Sequence, residues 1–216
     1  MASSPSARSS SMQVPSPILG SLNEICIVTP NLYKTLDSLT RLGLGPFRVF
    51  MFDSTTVPKQ ELRGKQGSDL YTMHVAFAQN PDPNEPVVEI IQPLTGQTSM
   101  QDYLDTHNNQ EGVQHIAFNM EDLPMVERQK RMKERGIEPL MQGWWRGKKG
   151  ETHFCFFDTV GKGLATCFET IEFSEDWEEP EFEWYPGPPV DDLKRSRTFG
   201  PSSGSGQGAD GLEILL

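Results

Sequence analysis

Four acid–base residues stand in strand-like runs that are otherwise apolar: Glu24 in EICIV, Glu89 in VEII, His115 in HIAF and Glu169 in CFET. An ionised carboxylate in a strand core is costly unless it is paired or metal-bound. Any one Glu near a strand end reads as a solvated residue; several of them in matching places read as a site. His74 and His153 also sit on strand-like runs, His153 alternating with Cys155 and Phe157. Both suit a pocket wall as well as ordinary packing, and we carry them as substrate-pocket candidates. His107, in DTHNNQEG, reads as solvent-exposed, and Trp144–Gly150 (WWRGKKG) as a hairpin tip whose charges are solvated or grip an anionic ligand group. The chain has no P-loop, GxGxxG, HExxH or GxSxG, so nucleotide, zincin and serine-hydrolase chemistries have no support.

The elements that carry these residues form a repeat. Glu24–Leu32 and His115–Leu123 each run from a polar residue through a strand to a helix-start signal, with Asn31 and Asp122 as N-cap candidates. Helical stretches over Leu32–Leu42 and Leu123–Arg135 follow, and both stop at a glycine with a proline three residues on, Gly43/Pro46 and Gly136/Pro139. Three strand-like runs come after each stop: Phe47–Phe52, Leu70–Phe77 and Val87–Gln92, then Leu140–Trp145, Thr152–Phe157 and Leu164–Ile171. Each half is therefore βαβββ, over about residues 21–98 and 112–172. Ser99–Asn108 reads as a linking helix capped by Ser99, and the polar insert Asp53–Asp69 as a loop.

The ends differ from this body. Residues 1–20 are Ser- and Pro-rich with Arg8 as their charged side chain, and predict a disordered arm without the apolar region of a secretory signal. Being acid-free and Ser-rich, the arm shares part of a mitochondrial presequence's character, but not its Arg-rich amphipathic pattern. Residues 173–216 form an acidic aromatic strap (SEDWEEPEFEWY) followed by a flexible tail. They hold 10 acidic against 3 basic residues, and residues 1–172 hold 20 against 16, within a total net charge of −11. An acidic chain repels phosphate backbones, so nucleic acid is excluded as a partner. No stretch approaches the roughly 20 apolar residues of a membrane span. The cysteines Cys26, Cys155 and Cys167, odd in number and without CxxC spacing, read as reduced core residues of a cytoplasmic protein.

Duplicated βαβββ is itself informative, because few architectures repeat that unit. Together with VEIIQPL (88–94), GVQHIAF (112–118), FFDTVGKG (156–163) and CFETIE (167–172), in this order and spacing, the chain resembles the vicinal oxygen chelate superfamily. The likeness is to the branch of glyoxalase I and methylmalonyl-CoA epimerase, over residues 21–172. It implies an α+β fold in which two tandem βαβββ modules form a cupped mixed sheet. It also implies a metal in the cup, held from the first and fourth strand of each module: Glu24, Glu89, His115 and Glu169. Relatives usually carry His, or in glyoxalases Gln, at the position of Glu24, so this site is more anionic. Three carboxylates meeting one imidazole call for a divalent cation, and oxygens with one nitrogen suit Mn, Fe, Co, Ni or Zn. Either a harder cation sits here, or one carboxylate is displaced and acts as a base, or Glu24, Glu169 and His115 work as acid–base groups without metal.

The resemblance implies proton abstraction beside a carbonyl of a small metabolite, with Glu169 or Glu24 as the catalytic base and His115 and Glu89 as anchors. The reaction class is then an isomerase, epimerase or lyase, with specialised metabolism as its setting. A metal-free isomerase or cyclase and a non-catalytic small-molecule binder are the rivals, with an extradiol-type dioxygenase behind them. A homodimer is expected, since open sheet edges invite pairing.

Overall fold

The computed structural model describes residues 17–79, 82, 84–120 and 123–189. The first half supplies β1 (Leu22–Val28), α1 (Leu32–Arg41), β2 (Phe47–Phe52), β3 (Lys59–Leu62), β4 (Lys65–Gly67), β5 (Thr72–Ala78) and β6 (Val87–Thr95). After α2 (Ser99–Thr106), the second half supplies β7 (Gly112–Phe118), α3 (Met125–Lys133), β8 (Pro139–Arg146), β9 (Glu151–Phe157) and β10 (Cys167–Phe173). A last strand, β11 (Glu183–Tyr185), comes from the acidic aromatic segment.

All the strands lie in one mixed sheet, in the order β11-β2-β5-β6-β1-β7-β10-β9-β8-β3-β4. β1 pairs in parallel with β6, and β7 with β10, and the modules join antiparallel through β1 and β7. The sheet curls strongly. Phe50 on β2 and Trp145 on β8 are far apart in strand order, yet their rings lie 4.9 Å apart. The concave face carries a large apolar cluster that includes Phe52, Met73, Met141 and Phe154. The convex face is covered by α1 over Val49, Ala76 and Ile90, and by α3 over Cys155 and Phe157.

Both helices of the repeat end alike. Leu44 N–H reaches Leu39 O and Ile137 N–H reaches Met132 O, across Gly43 (φ 86°) and Gly136 (φ 73°). This left-handed stop favours glycine. Asn31 caps α1 by accepting from Lys34 N–H at 3.2 Å, as expected. The other two caps differ from expectation. Thr98, not Ser99, caps α2, and α3 follows Pro124 with no side-chain cap, while Asp122 lies outside the described residues. Ile18, expected in a disordered arm, packs against the cluster of Met125 and Met132.

The insert expected as a loop is partly strand. Asp53 accepts from Thr55 and Thr56 N–H to turn the chain, and β3 and β4 then form a hairpin over Arg63 (φ 52°) and Gly64 (φ 76°). β3 pairs with β8, so the first module closes the edge of the second. β11 pairs with β2 and closes the other edge. β11 and β4 are thus the outer strands of the sheet. No helix among the described residues is long and apolar enough to cross a membrane.

Candidate functional site

The four central strands, in the order β6-β1-β7-β10, bring Glu89, Glu24, His115 and Glu169 together on the concave face. Register does this directly. Cys26 lies opposite both Glu89 and His115, and one row along Ala117 lies opposite both Glu24 and Glu169. His115 is the centre: its Nε2 is 3.1 Å from Glu89 Oε2, 3.3 Å from Glu169 Oε2 and 3.7 Å from Glu24 Oε1. One ligand atom from each of the four fits within 4.8 Å of the others, and all four residues are buried.

The imidazole is aimed from behind. Between Cys26↔His115 and Ile27↔Val113 the register slips, leaving Gln114 as a bulge residue on β7. The bulge lets Gln114 Oε1 reach His115 Nδ1 at 2.7 Å. With the Nδ1 proton donated to Gln114, a neutral His115 presents the Nε2 lone pair to three carboxylates. Neither oxygen of Glu24 has a hydrogen-bond partner, and neither does Glu169 Oε2. Buried acceptors converging on one ring nitrogen are a cation site by their chemistry: a proton or a metal ion must sit among them. A divalent metal fits the donor set.

The electrostatics follow from crowding. Burial first, then the charge of Glu89, pushes the Glu24 carboxyl well above its ordinary range. Burial likewise raises Glu169 to about 7, against the lowering contact with His115. For His115, burial favours the neutral ring, but contacts with Cys26, Glu169 and Glu24 outweigh it and hold the pKa well above the usual value. Burial also pushes the Cys26 thiol up, so it stays neutral and the attraction falls to the carboxylates. The sequence reading treated Cys26 as plain core; the structure sets it beside Glu89 and His115 as a further ligand-type atom.

Phe52, Met73, Phe77, Trp145, Phe154 and Phe156 wall the space above the cluster. His74 and His153 do not, and this corrects their assignment to the pocket. On β5 the concave face takes Met73, Val75 and Phe77, and on β9 it takes Phe154 and Phe156, so the alternate histidines face outward. His153 instead stacks on Trp144 with ring centroids 4.0 Å apart and bonds Gln142 Oε1 at 3.0 Å. Burial, then Lys59 and Arg128, push its pKa down to about 4. His107 is exposed, as expected.

Comparison with known proteins agrees with this architecture. Residues 23–156 match the family model of the Glyoxalase/Bleomycin resistance protein/Dioxygenase superfamily. Methylmalonyl-CoA epimerase from Mycobacterium tuberculosis superposes with a TM-score of 0.50 at 13% identity, covering 79% of this chain and 94% of its own. A variant of the Streptomyces coelicolor epimerase, in complex with 2-nitronate-propionyl-CoA, gives 0.50 at 16% identity, covering 71% and 96%. A 4-hydroxymandelate synthase variant from Streptomyces coelicolor gives 0.49 at 15% identity, covering 72% of this chain and 49% of its own. No curated protein sequence matches the chain. With the paired βαβββ modules, the cupped sheet and the family match over more than half its length, the chain belongs to the Glyoxalase/Bleomycin resistance protein/Dioxygenase superfamily, the vicinal oxygen chelate fold.

Proposed function

We propose that this protein is an isomerase, epimerase or lyase that moves a proton at the carbon beside a carbonyl of a small metabolite. One observation carries the reading: Glu169, a carboxyl held near pKa 7, lies 3.3 Å from the imidazole of a buried acid–base cluster. A carboxylate whose pKa sits near the working pH both takes and returns a proton efficiently. Glu24 stands on the neighbouring strand pair as a second carboxyl with a raised pKa, so the cup offers an acceptor and a donor within one site. The apolar aromatic walls lower the local dielectric, which strengthens each electrostatic contact.

Glu24, Glu89, His115 and Glu169 would hold a divalent cation of the Mn, Fe, Co, Ni or Zn type. Such an ion, when bound, supplies positive charge opposite an oxyanion that develops on the substrate carbonyl. Gln114 fixes the His115 tautomer, His115 and Glu89 anchor, and Glu169 handles the proton.

A second reading has its own support. His115 contacts all three carboxylates, so protons alone can compensate the cluster, and the protein would then be a metal-free isomerase or cyclase. Elemental analysis separates the two. About one divalent ion per chain, with thermal stabilisation by added Mn²⁺, Co²⁺, Ni²⁺ or Zn²⁺, supports the metal form; neither effect supports the other.

Both share a test. Small carbonyl compounds of several kinds (an acyl thioester, a 2-oxo acid, an aryl ketone) are incubated with protein in D₂O and followed by NMR. Deuterium appearing beside the carbonyl, and lost in Glu169→Gln, is the expected result. No exchange with any of them would exclude proton abstraction and favour a binding protein.

A further inference from the structure

Among the described residues, the buried threonines other than Thr152 each give their hydroxyl a partner. Thr29 meets Thr35, Thr98 caps α2, Thr159 donates to Thr166 O and Thr170 donates to Phe118 O. Thr152 is the exception: it is 1% exposed, and its Oγ1 has no hydrogen-bond partner. A buried hydroxyl in that state costs stability. The sheet leaves it no backbone partner. β9 is paired on both sides, with Trp145 of β8 and Phe173 of β10 opposite Thr152, so the neighbouring backbone groups are taken up in the ladders.

The hydroxyl belongs to the cup. Thr152, Phe154 and Phe156 alternate along β9 with His153 and Cys155, and Thr152 lines the same cavity as Glu24, Glu89 and Glu169. Of the residues lining that cavity, Thr152, Glu24 and Glu169 carry a side-chain oxygen without a partner. They mark its two ends. Phe156 stands opposite Glu169, and Thr152 lies four residues from Phe156, about 13 Å along β9. Phe154 and Ile171, opposite each other, fill the interval. At the Thr152 end the surroundings are aromatic. Trp177, from the acidic aromatic segment, packs on Trp145 and Phe173 with ring centroids 5.1 and 5.9 Å apart. The chamber therefore has an acid–base floor, an apolar middle and the Thr152 hydroxyl beneath an aromatic rim.

We propose that Thr152 is the specificity-determining residue of the cup: its hydroxyl receives the far end of a substrate whose carbonyl lies at the cluster. This rests on the cup being the reaction chamber, and it names the substrate class. The substrate is an apolar carbonyl compound with an uncharged hydrogen-bonding group, a hydroxyl or a second carbonyl, at its opposite end. A hydroxyl both donates and accepts but balances no charge, so an ionic group there would lie uncompensated against aromatic rings. The cavity measures about 20 Å³, so a ligand of this length enters as Trp177 moves outward from Trp145 and Phe173.

Two measurements on the full chain test it, both independent of turnover. Thr152→Val keeps the shape of the side chain and removes the hydroxyl. A threonine with a structural bond loses stability on this change, whereas one with an orphan hydroxyl does not. Thr152→Val should therefore melt at or above the Tm of the natural protein, by up to about 4 °C. Calorimetric titration then uses benzylacetone, its para-hydroxy derivative and its para-carboxylate derivative. The natural protein should bind the hydroxy compound about fivefold more tightly than benzylacetone, the worth of one hydrogen bond. Thr152→Val should erase that preference while binding benzylacetone unchanged, and Thr152→Ser should keep it. A lowered Tm in Thr152→Val would overturn the proposal, because the hydroxyl would then serve the fold. So would a preference absent from the natural protein, a preference kept in Thr152→Val, or binding of none of the three compounds. Tightest binding of the carboxylate would overturn the uncharged assignment. A failed deuterium-exchange experiment would leave these results standing, so the two readings fail separately.

Discussion

Gln114 and His115 are consecutive on β7, yet Gln114 Oε1 accepts a 2.7 Å hydrogen bond from His115 Nδ1. Consecutive strand residues face opposite ways, so the contact exists only because the register slips between Cys26 and Ile27. The bulge turns a wall residue into the orienting partner of the central imidazole.

That arrangement predicts the behaviour of Gln114 variants. Gln114→Leu keeps the volume but removes the acceptor, freeing the ring to rotate or change tautomer. Loss of such an orienting partner weakens metal affinity about 10–100-fold. Gln114→Glu retains an acceptor and should hold affinity close to the natural value. Co²⁺ titration followed by its absorption bands reads this directly. Equal affinity in Gln114→Leu would show that packing alone orients the ring.

The crowded carboxyls make the metal-free protein pH-sensitive, with a definite sign. Glu169 is raised from 4.5 to about 7, so between those values the folded state binds more protons than the unfolded chain. Stability is then full below about pH 4.5 and falls as pH rises through about 7. The raised Glu24 and His115 act in the same direction. A shift of this size is worth on the order of 3 kcal/mol, roughly 5–10 °C in Tm. Thermal melts of chelator-treated protein from pH 5 to 8 should show the decline, and Glu169→Gln should make it shallower. A Tm that rises over this interval would refute the assignment.

Activity should separate the proton carrier from the anchors. Glu169→Gln keeps the shape and cannot accept a proton, so turnover should fall about 10²–10⁴-fold with the fold intact. His115→Ala removes the hub of the cluster, and part of its loss should return with excess divalent ion. Steady-state rates at several metal concentrations distinguish the two patterns. Full activity in Glu169→Gln would remove it from the mechanism.

Glu24, Glu89, His115 and Glu169 were legible because polar types in matching places of a repeat contradict their apolar strands. The orientation of His74 and His153 was not. Alternation separates two faces without saying which is inside, and here both are buried, one in the cup and one under a helix: Val75 and Ala76 are both 0% exposed. Gln114 was hidden because a bulge is a backbone event with no residue signature. β3 and β4, KQEL and KQG, lack the β-branched and aromatic residues that mark strands, and form because β8 offers an edge.

The wall opposite the cluster depends on a residue with no side chain. Gly143 lies on β8, paired with Phe154, and a Cβ there would stand 2.3 Å from Phe154 Cζ and 2.5 Å from Tyr71 Oη. Both neighbours are fixed: Phe154 is 4% exposed within the core, and the buried Tyr71 hydroxyl donates to Gln142 O at 2.8 Å. Neither can retreat without opening the cup or breaking that bond. Gly143→Ala should therefore destabilise the protein by about 1–3 kcal/mol, the usual range for overpacking. Tyr71→Phe removes the hydroxyl that the new methyl would meet, so in the Gly143→Ala background it should recover part of the loss. Alone it should destabilise by about 1 kcal/mol, from the abandoned carbonyl. Urea unfolding of the two single variants and the double closes the cycle. Strict additivity would show that Tyr71 and Gly143 do not meet in solution as they do here.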